Sequence, residues 1–256
     1  MLTRKMPIVV GGFYRSGTSL TRRLLDAHSR IHCGPEVKFF KDLHCDYLDD
    51  PLGHVRLFST LPSLGLESDE ICDIFGRAFI EAHEIAARKA GKARWADKNP
   101  ENVLYLEQWQ RLLPQGFAFI HVVRNPLDVL ASLLEIGFPK AVPAAFEEKV
   151  KFLKTFIEKG TQYQNLHPET SFRIQYEELV TAPTATLTDL FHWLGEEFEP
   201  QILDNFNHAK RGQGIEDPKV GGTKSVHNLS VGRWQTDLTP EQVEIAKALL
   251  ASSCLN

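Results

Sequence analysis

Pro7-Ile8-Val9-Val10-Gly11-Gly12-Phe13-Tyr14-Arg15-Ser16-Gly17-Thr18-Ser19 is the stretch whose reading decides the fold. Pro7 to Val10 is a short apolar run ended by two glycines, which predicts a buried strand. Beyond Gly17, residues Leu20, Leu24 and Ala27 fall at helical spacing. A glycine-rich turn therefore joins a strand to a helix. From Gly12 to Ser19 the spacing is that of a phosphate-binding P-loop, with Thr18 where the usual lysine would stand. Glycines let the backbone turn tightly, and the amides freed at a helix N-terminus cradle an anion. Without the lysine a triphosphate with magnesium is disfavoured, and Arg15 brings cationic charge instead. The competing reading is a plain strand-to-helix turn whose glycines serve geometry alone.

Working outward, Glu67 to Lys89 carries Ile71, Ile74, Phe75, Ala78, Phe79, Ala82, Ile85 and Ala86 at the period of a long amphipathic helix. Phe117 to Val123 reads as a central strand. Asn125-Pro126 then supplies an N-cap and a first-turn proline for a helix through Leu127, Leu130, Leu133 and Leu134, ending at Gly137. Further helices are predicted at Glu101–Leu113, Phe146–Asn165, Pro183–Leu194 and Pro240–Ala251, with strands at Ile31 and Ser171–Gln175. Trp95 to Pro100 reads as a turn before a helix. This alternation predicts an α/β chain: a P-loop-containing three-layer fold with a central parallel sheet flanked by helices. No linker divides it, so residues 1–256 are read as one domain. Lys38–Leu66, which either lines a cleft or covers the core, and His208–Gly232 resist assignment; long loops of this kind are often functional.

Apolar residues make up 43% and charged residues 24% of 256, ordinary for a globular chain. Lys plus Arg is 29 against 33 for Asp plus Glu, a net charge of −4, which argues against a nucleic-acid binder. Cys33, Cys45, Cys72 and Cys254 contain no C-x-x-C pair. The apolar run at the N-terminus is too short for a signal peptide, and no segment is long enough to span a bilayer. A soluble, reduced, cytoplasmic protein is expected. His28 and His32 lack a third partner, so no metal is expected. Trp95, Trp109 and Trp193 read as packing residues, and Lys149, Lys151, Lys154 and Lys159 as the solvated side of a helix.

Arg124 directly follows the strand Phe117–Val123, where ligands of open parallel sheets bind. With Ser132 on the next helix it could grip a phosphate, or both could be ordinary surface groups. Glu36 and Lys98 each sit at a strand's end, where a carboxylate can act as a base and an ammonium can stabilise a departing oxygen. Most such residues are solvated loop charges, and spacing alone does not select these two.

Taken together, the chain resembles the sulfotransferase superfamily, which uses 3′-phosphoadenosine 5′-phosphosulfate (PAPS). It is most similar to the tyrosylprotein sulfotransferase type and its soluble relatives. The matching stretches are Tyr14–His28, Cys33–Glu36, Ala96–Pro100, Val122–Pro126 with Ser132, Gln175–Leu179, and Thr223–Ser225 with Ser230–Trp234. The resemblance implies that Arg15, Ser16, Gly17, Thr18 and Ser19 hold the 5′-phosphosulfate, and that Arg124 and Ser132 hold the 3′-phosphate. It also implies that Tyr176 lies near the nucleotide, that Ser225 supports the phosphosulfate region and belongs with the catalytic groups, and that Arg233 closes a C-terminal loop. Glu36 would take the acceptor's proton and Lys98 would stabilise the bridging oxygen. The product would be adenosine 3′,5′-bisphosphate.

There are departures. Members of that type are typically membrane-anchored and lumenal, and no anchor is evident here. Their cysteine near the base pairs with another near the lysine, whereas Cys33 faces Ala96 in that register, which implies a free thiol. Pro35 replaces an acidic neighbour of the base, and Ile136 stands where a further arginine follows the 3′-phosphate serine. The acceptor, a small molecule, sugar, lipid or peptide, is left open, and a homodimer is compatible with the sequence. Two other readings stay open: a P-loop kinase of a small molecule, and a non-catalytic adenosine-bisphosphate-binding module.

Overall fold

A computed structural model describes residues 6–48, 56–137, 141–208 and 225–251. Its strands are β1 (Ile8–Gly12), β2 (Ile31–Cys33), β3 (Arg94–Lys98), β4 (Ala118–Val123) and β5 (Ser171–Gln175). Its helices are α1 (Thr18–Ala27), α2 (Phe39–Leu43), α3 (Arg56–Thr60), α4 (Ser68–Lys89), α5 (Leu106–Leu112) and α6 (Pro126–Ile136). They continue with α7 (Phe146–Leu166), α8 (Tyr176–Thr181), α9 (Pro183–Leu194), α10 (Ile202–Asn205), α11 (Trp234–Asp237) and α12 (Pro240–Leu250). The strands form one parallel sheet in the order β2-β3-β1-β4-β5.

Strand periodicity splits the core into two layers, because successive side chains point to opposite faces. Val9, Trp95 and Phe119 face one way and pack with Ile71 of α4, Trp109 of α5 and Phe156 of α7. Ile8, Val10, Ala96 and Ile120 face the other way and pack with Leu24 of α1, Leu190 of α9 and Ile202 of α10. Both faces are thus covered, and β1 lies between β3 and β4, so the loops after these strands gather at one end of the sheet.

Trp95–Lys98 is not a turn. It belongs to β3, which pairs with both β1 and β2. Its charges obscured the strand, yet each is partnered, Arg94 and Lys98 from far along the chain and Asp97 from the turn that follows it. Arg94 donates to the carbonyls of Met6 and Leu194, while Asp97 accepts from Asn99 and from Asn102 at 2.8 Å. Lys98 donates to Glu36. Two other differences concern helices. Glu101–Leu113 begins as a 3-10 turn, Pro100–Leu104, before α5. Part of Lys38–Leu66 folds as α2, α3 and a 3-10 turn, with residues 49–55 outside the described part. Lys149 and Lys154 turn inward rather than to solvent, onto the carbonyls of Ala144 and Leu249.

Candidate active site

The P-loop turn is held by close approach. A Cβ on Gly12 would lie 2.3 Å from the carbonyl oxygen of Val122, so β1 can end beside β4 only as glycine. Phe13 anchors the turn in the core against Phe156, edge-on at 4.9 Å. Arg15 (φ 66°) and Gly17 (φ 98°) both take left-handed backbone, and the Tyr176 ring fills the space where a Gly17 side chain would stand. The helix α1 then starts at Thr18, presenting its first amides at the ends of β1 and β3.

Lys98, last residue of β3 and opposite Val10 of β1, is fully buried. Its Nζ donates to Glu36 and, at 3.3 Å, to the Ser19 hydroxyl. Glu36 follows β2 on a segment pinned at both ends. The Cys33 amide donates to Asp26 at 2.9 Å, the Cys33 carbonyl accepts from Arg22 at 3.0 Å, and Asn99 donates to the Val37 carbonyl at 3.0 Å. Cys33 does lie opposite Ala96 and is a free thiol.

On the other side of the loop, Arg124 donates to the carbonyls of Arg15, at 2.9 Å, and of Ser230, and lies over the Tyr176 ring at 4.6 Å. Burial holds its guanidinium below the ordinary value, against the pull of Tyr176, Asp128 and Glu177; the charge of Arg15 adds to the lowering. Arg15 Nε donates to the Ser132 hydroxyl at 3.0 Å. The segment carrying Ser230 is tied down by Asp128, which accepts from the amides of Gly232 at 2.9 Å and Trp234 at 3.0 Å.

Of the expected site residues, then, Arg15, Ser19, Lys98, Glu36, Arg124, Ser132 and Tyr176 are linked through the turn, with Ser16, Gly17 and Thr18 in it. Arg233 pairs with Glu135 of α6 at 2.7 Å and with Asp237, so Arg233 and Asp128 both tie this segment to α6. Ser225 is exposed, and Thr223 and Lys224 lie outside the described residues. Asp128 went unread because an acid in a helix's first turn is ordinary dipole chemistry; Asn125-Pro126 just before it was the available signal.

Beside Glu36 lies a second cluster that the pattern of the sequence did not single out. Glu101, wholly buried, accepts from the Tyr14 phenol and from Lys38 at 2.8 Å and Lys41 at 3.3 Å. Burial pushes its carboxyl up, but the two ammonium groups more than offset this and hold it at about 2. The same carboxylate and burial push the Tyr14 phenol well above its ordinary value, with burial the larger cause. Lys38, Lys41 and Glu101 line a small cleft with Phe39, Phe79 and Tyr105. His28 stacks on Phe191 and His32 faces Asp26; among the described residues no cluster of His, Cys, Asp and Glu could hold a metal ion.

The profile of the sulfotransferase family matches residues 7–200. A candidate protein-tyrosine sulfotransferase of Caenorhabditis briggsae is 29% identical over 236 residues, covering 89% of this chain and 80% of its own. Protein-tyrosine sulfotransferase 2 of Gallus gallus is 25% identical over 91% of this chain, which spans 64% of that protein. Among solved structures, the sulfotransferase domain of the Synechococcus PCC 7002 olefin synthase superposes with a TM-score of 0.64 at 19% identity, covering 95% of this chain and 93% of its own. A mouse sulfotransferase crystallised with PAP has a TM-score of 0.51 at 13% identity, covering 99% of this chain and 87% of its own. These two likenesses are of fold. No described helix is long and apolar enough to cross a membrane.

Proposed function

The chain belongs to the sulfotransferase family, and from that premise we propose that it transfers a sulfuryl group from PAPS to an acceptor hydroxyl or amine. The observation that carries this reading is the buried contact of Lys98 with both Glu36 and Ser19, at the mouth of a P-loop that lacks a lysine. The donor supplies a sulfuryl group on a phosphate leaving oxygen. The amides of Gly17, Thr18 and Ser19 are placed to receive an anion, as the residues of a 5′-phosphosulfate site must be. Lys98 holds positive charge at the loop mouth, where negative charge grows on the leaving oxygen. Glu36 is the proton acceptor, held in place by its contact with Lys98. Arg124 and Ser132 receive the 3′-phosphate, Tyr176 packs against Gly17 and Arg124, and Ser225 and Arg233 belong to the covering segment. No step here calls for a metal.

We read residues 1–256 as one domain. We place it in a reducing compartment, the cytoplasm, on the strength of its cysteines. Cys33, Cys45 and Cys72 are free thiols, and burial pushes that of Cys33 up to about 12.

Calorimetric titration with adenosine 3′,5′-bisphosphate, ADP, and ATP with magnesium tests the reading. Magnesium-independent binding of the bisphosphate is expected and would justify an acceptor screen with PAPS. Preference for ATP with magnesium would overturn it in favour of a kinase.

A further inference from the structure

Asn99 stands where a helix would be capped, directly before the 3-10 turn Pro100–Leu104, yet its side chain caps nothing. The amide nitrogen is turned back instead. It donates to Asp97 Oδ1 at 2.9 Å and to the Val37 carbonyl at 3.0 Å, while the amide oxygen is buried without a hydrogen-bond partner. Both neighbours are acceptors, so only this orientation of the amide serves them. Asp97 is fully buried and is fixed in its turn. Asn102 donates to the same oxygen at 2.8 Å, and His83 Nε2 faces the other at 3.3 Å. Asn102 is itself held, donating to the Val10 carbonyl at 2.9 Å and accepting from the Trp109 indole at 3.1 Å. A chain of contacts thus runs from the core, through Asp97 and Asn99, to the backbone of Val37.

Val37 directly follows Glu36, and Asn99 directly follows Lys98. Two ties therefore bracket the reacting pair, one between the side chains of Glu36 and Lys98 and one between the residues after them. During transfer the first tie must loosen, because Lys98 turns toward the leaving oxygen as negative charge grows there. A carboxylate held by that contact alone would follow the ammonium. The Asn99 tie involves neither charge, and it keeps the backbone of Glu36 on the β2 side while Lys98 moves. We propose that Asn99, oriented by Asp97, is a positioning residue that fixes Glu36 for proton abstraction independently of Lys98. This rests on the sulfuryl-transfer reading and adds to it a residue that acts through the base.

The test is a double-mutant cycle on the intact chain: wild type, Asn99→Ala, Glu36→Gln and the double variant, with PAPS as donor. Turnover is read as release of adenosine 3′,5′-bisphosphate, with an acceptor from the PAPS screen and with water alone. Asn99→Ala is expected to lower kcat on the order of ten- to a hundredfold, with KM for PAPS and affinity for the bisphosphate within about twofold. In the Glu36→Gln background the same change should cost less than about threefold, because no base is left to place. Hydrogen exchange over residues 34–38 should quicken in Asn99→Ala on the order of tenfold. Asn99 is extended (φ −136°, ψ 137°), so Asn99→Ser is a milder variant that should show the same pattern. An equal loss in both backgrounds, a bisphosphate affinity that falls in step with turnover, or unaltered exchange would overturn the assignment. A wild type that releases no bisphosphate from PAPS under either condition would overturn the sulfuryl-transfer reading itself. Retained binding of the bisphosphate establishes that each variant is folded.

Discussion

Lys98 and Glu36 neutralise one another inside the site, and each is useful only because the other is there. Glu36→Gln removes the proton acceptor but leaves the P-loop intact. Turnover of an acceptor found by screening with PAPS should fall on the order of a hundred- to ten-thousandfold. Bisphosphate affinity measured by calorimetry should stay within a few-fold; unchanged turnover would remove Glu36 from the base role. The neighbouring Glu101 makes a prediction about stability. Its carboxyl is held at about 2 against an ordinary 4.5, so its contribution is complete above 4.5 and is lost as pH falls through 4.5 toward 2. Acid unfolding followed by tryptophan fluorescence should show wild type losing stability across that window. Glu101→Gln, less stable at neutral pH, should lose less over the same window.

At the level of elements, helix α7 packs on strand β4 through one close approach. A Cβ on Gly160 would lie 2.4 Å from the His121 ring, which is buried and stacked on Phe119. In a helix interior, replacing glycine by alanine stabilises by about 1 kcal/mol on backbone grounds. Overpacking a closed core costs about 1–3 kcal/mol, and His121, on a central strand, has little room to retreat. Gly160→Ala should therefore be less stable than wild type by about 1–2 kcal/mol in urea unfolding. A gain in stability would mean that the ring can move. Burial, helped by Arg173, keeps His121 low, at about 4. Its share of stability is therefore full above the ordinary 6.5 and fades as pH falls from there toward 4.

Across the whole molecule, the segment after residue 225 is brought over the P-loop by Asp128 alone among the first-turn residues of α6, through the amides of Gly232 and Trp234. Asp128→Ala leaves those amides without their acceptor and should loosen the segment. Limited proteolysis within residues 225–237 should quicken on the order of tenfold, and bisphosphate affinity should drop, since Ser230 no longer steadies Arg124. Unchanged cleavage would show that other contacts suffice. By itself the sequence determined what lies within a few residues: the strand, glycine turn and helix of the P-loop, the Asn125-Pro126 cap, and the alternation of strands with helices. Resemblance to the family, not spacing, singled out Glu36 and Lys98, and it joined Arg124 and Ser132 to them. Tertiary structure alone decided that the charge-rich Arg94–Lys98 is a strand, that Arg15 turns to Ser132, that Asp128 is a clamp, and that Tyr14, Lys38 and Lys41 close on Glu101. The reason is physical. Backbone preference and hydrophobic period act locally, whereas the partner that makes a buried charge tolerable comes from a segment far along the chain, and only the folded sheet brings the two together.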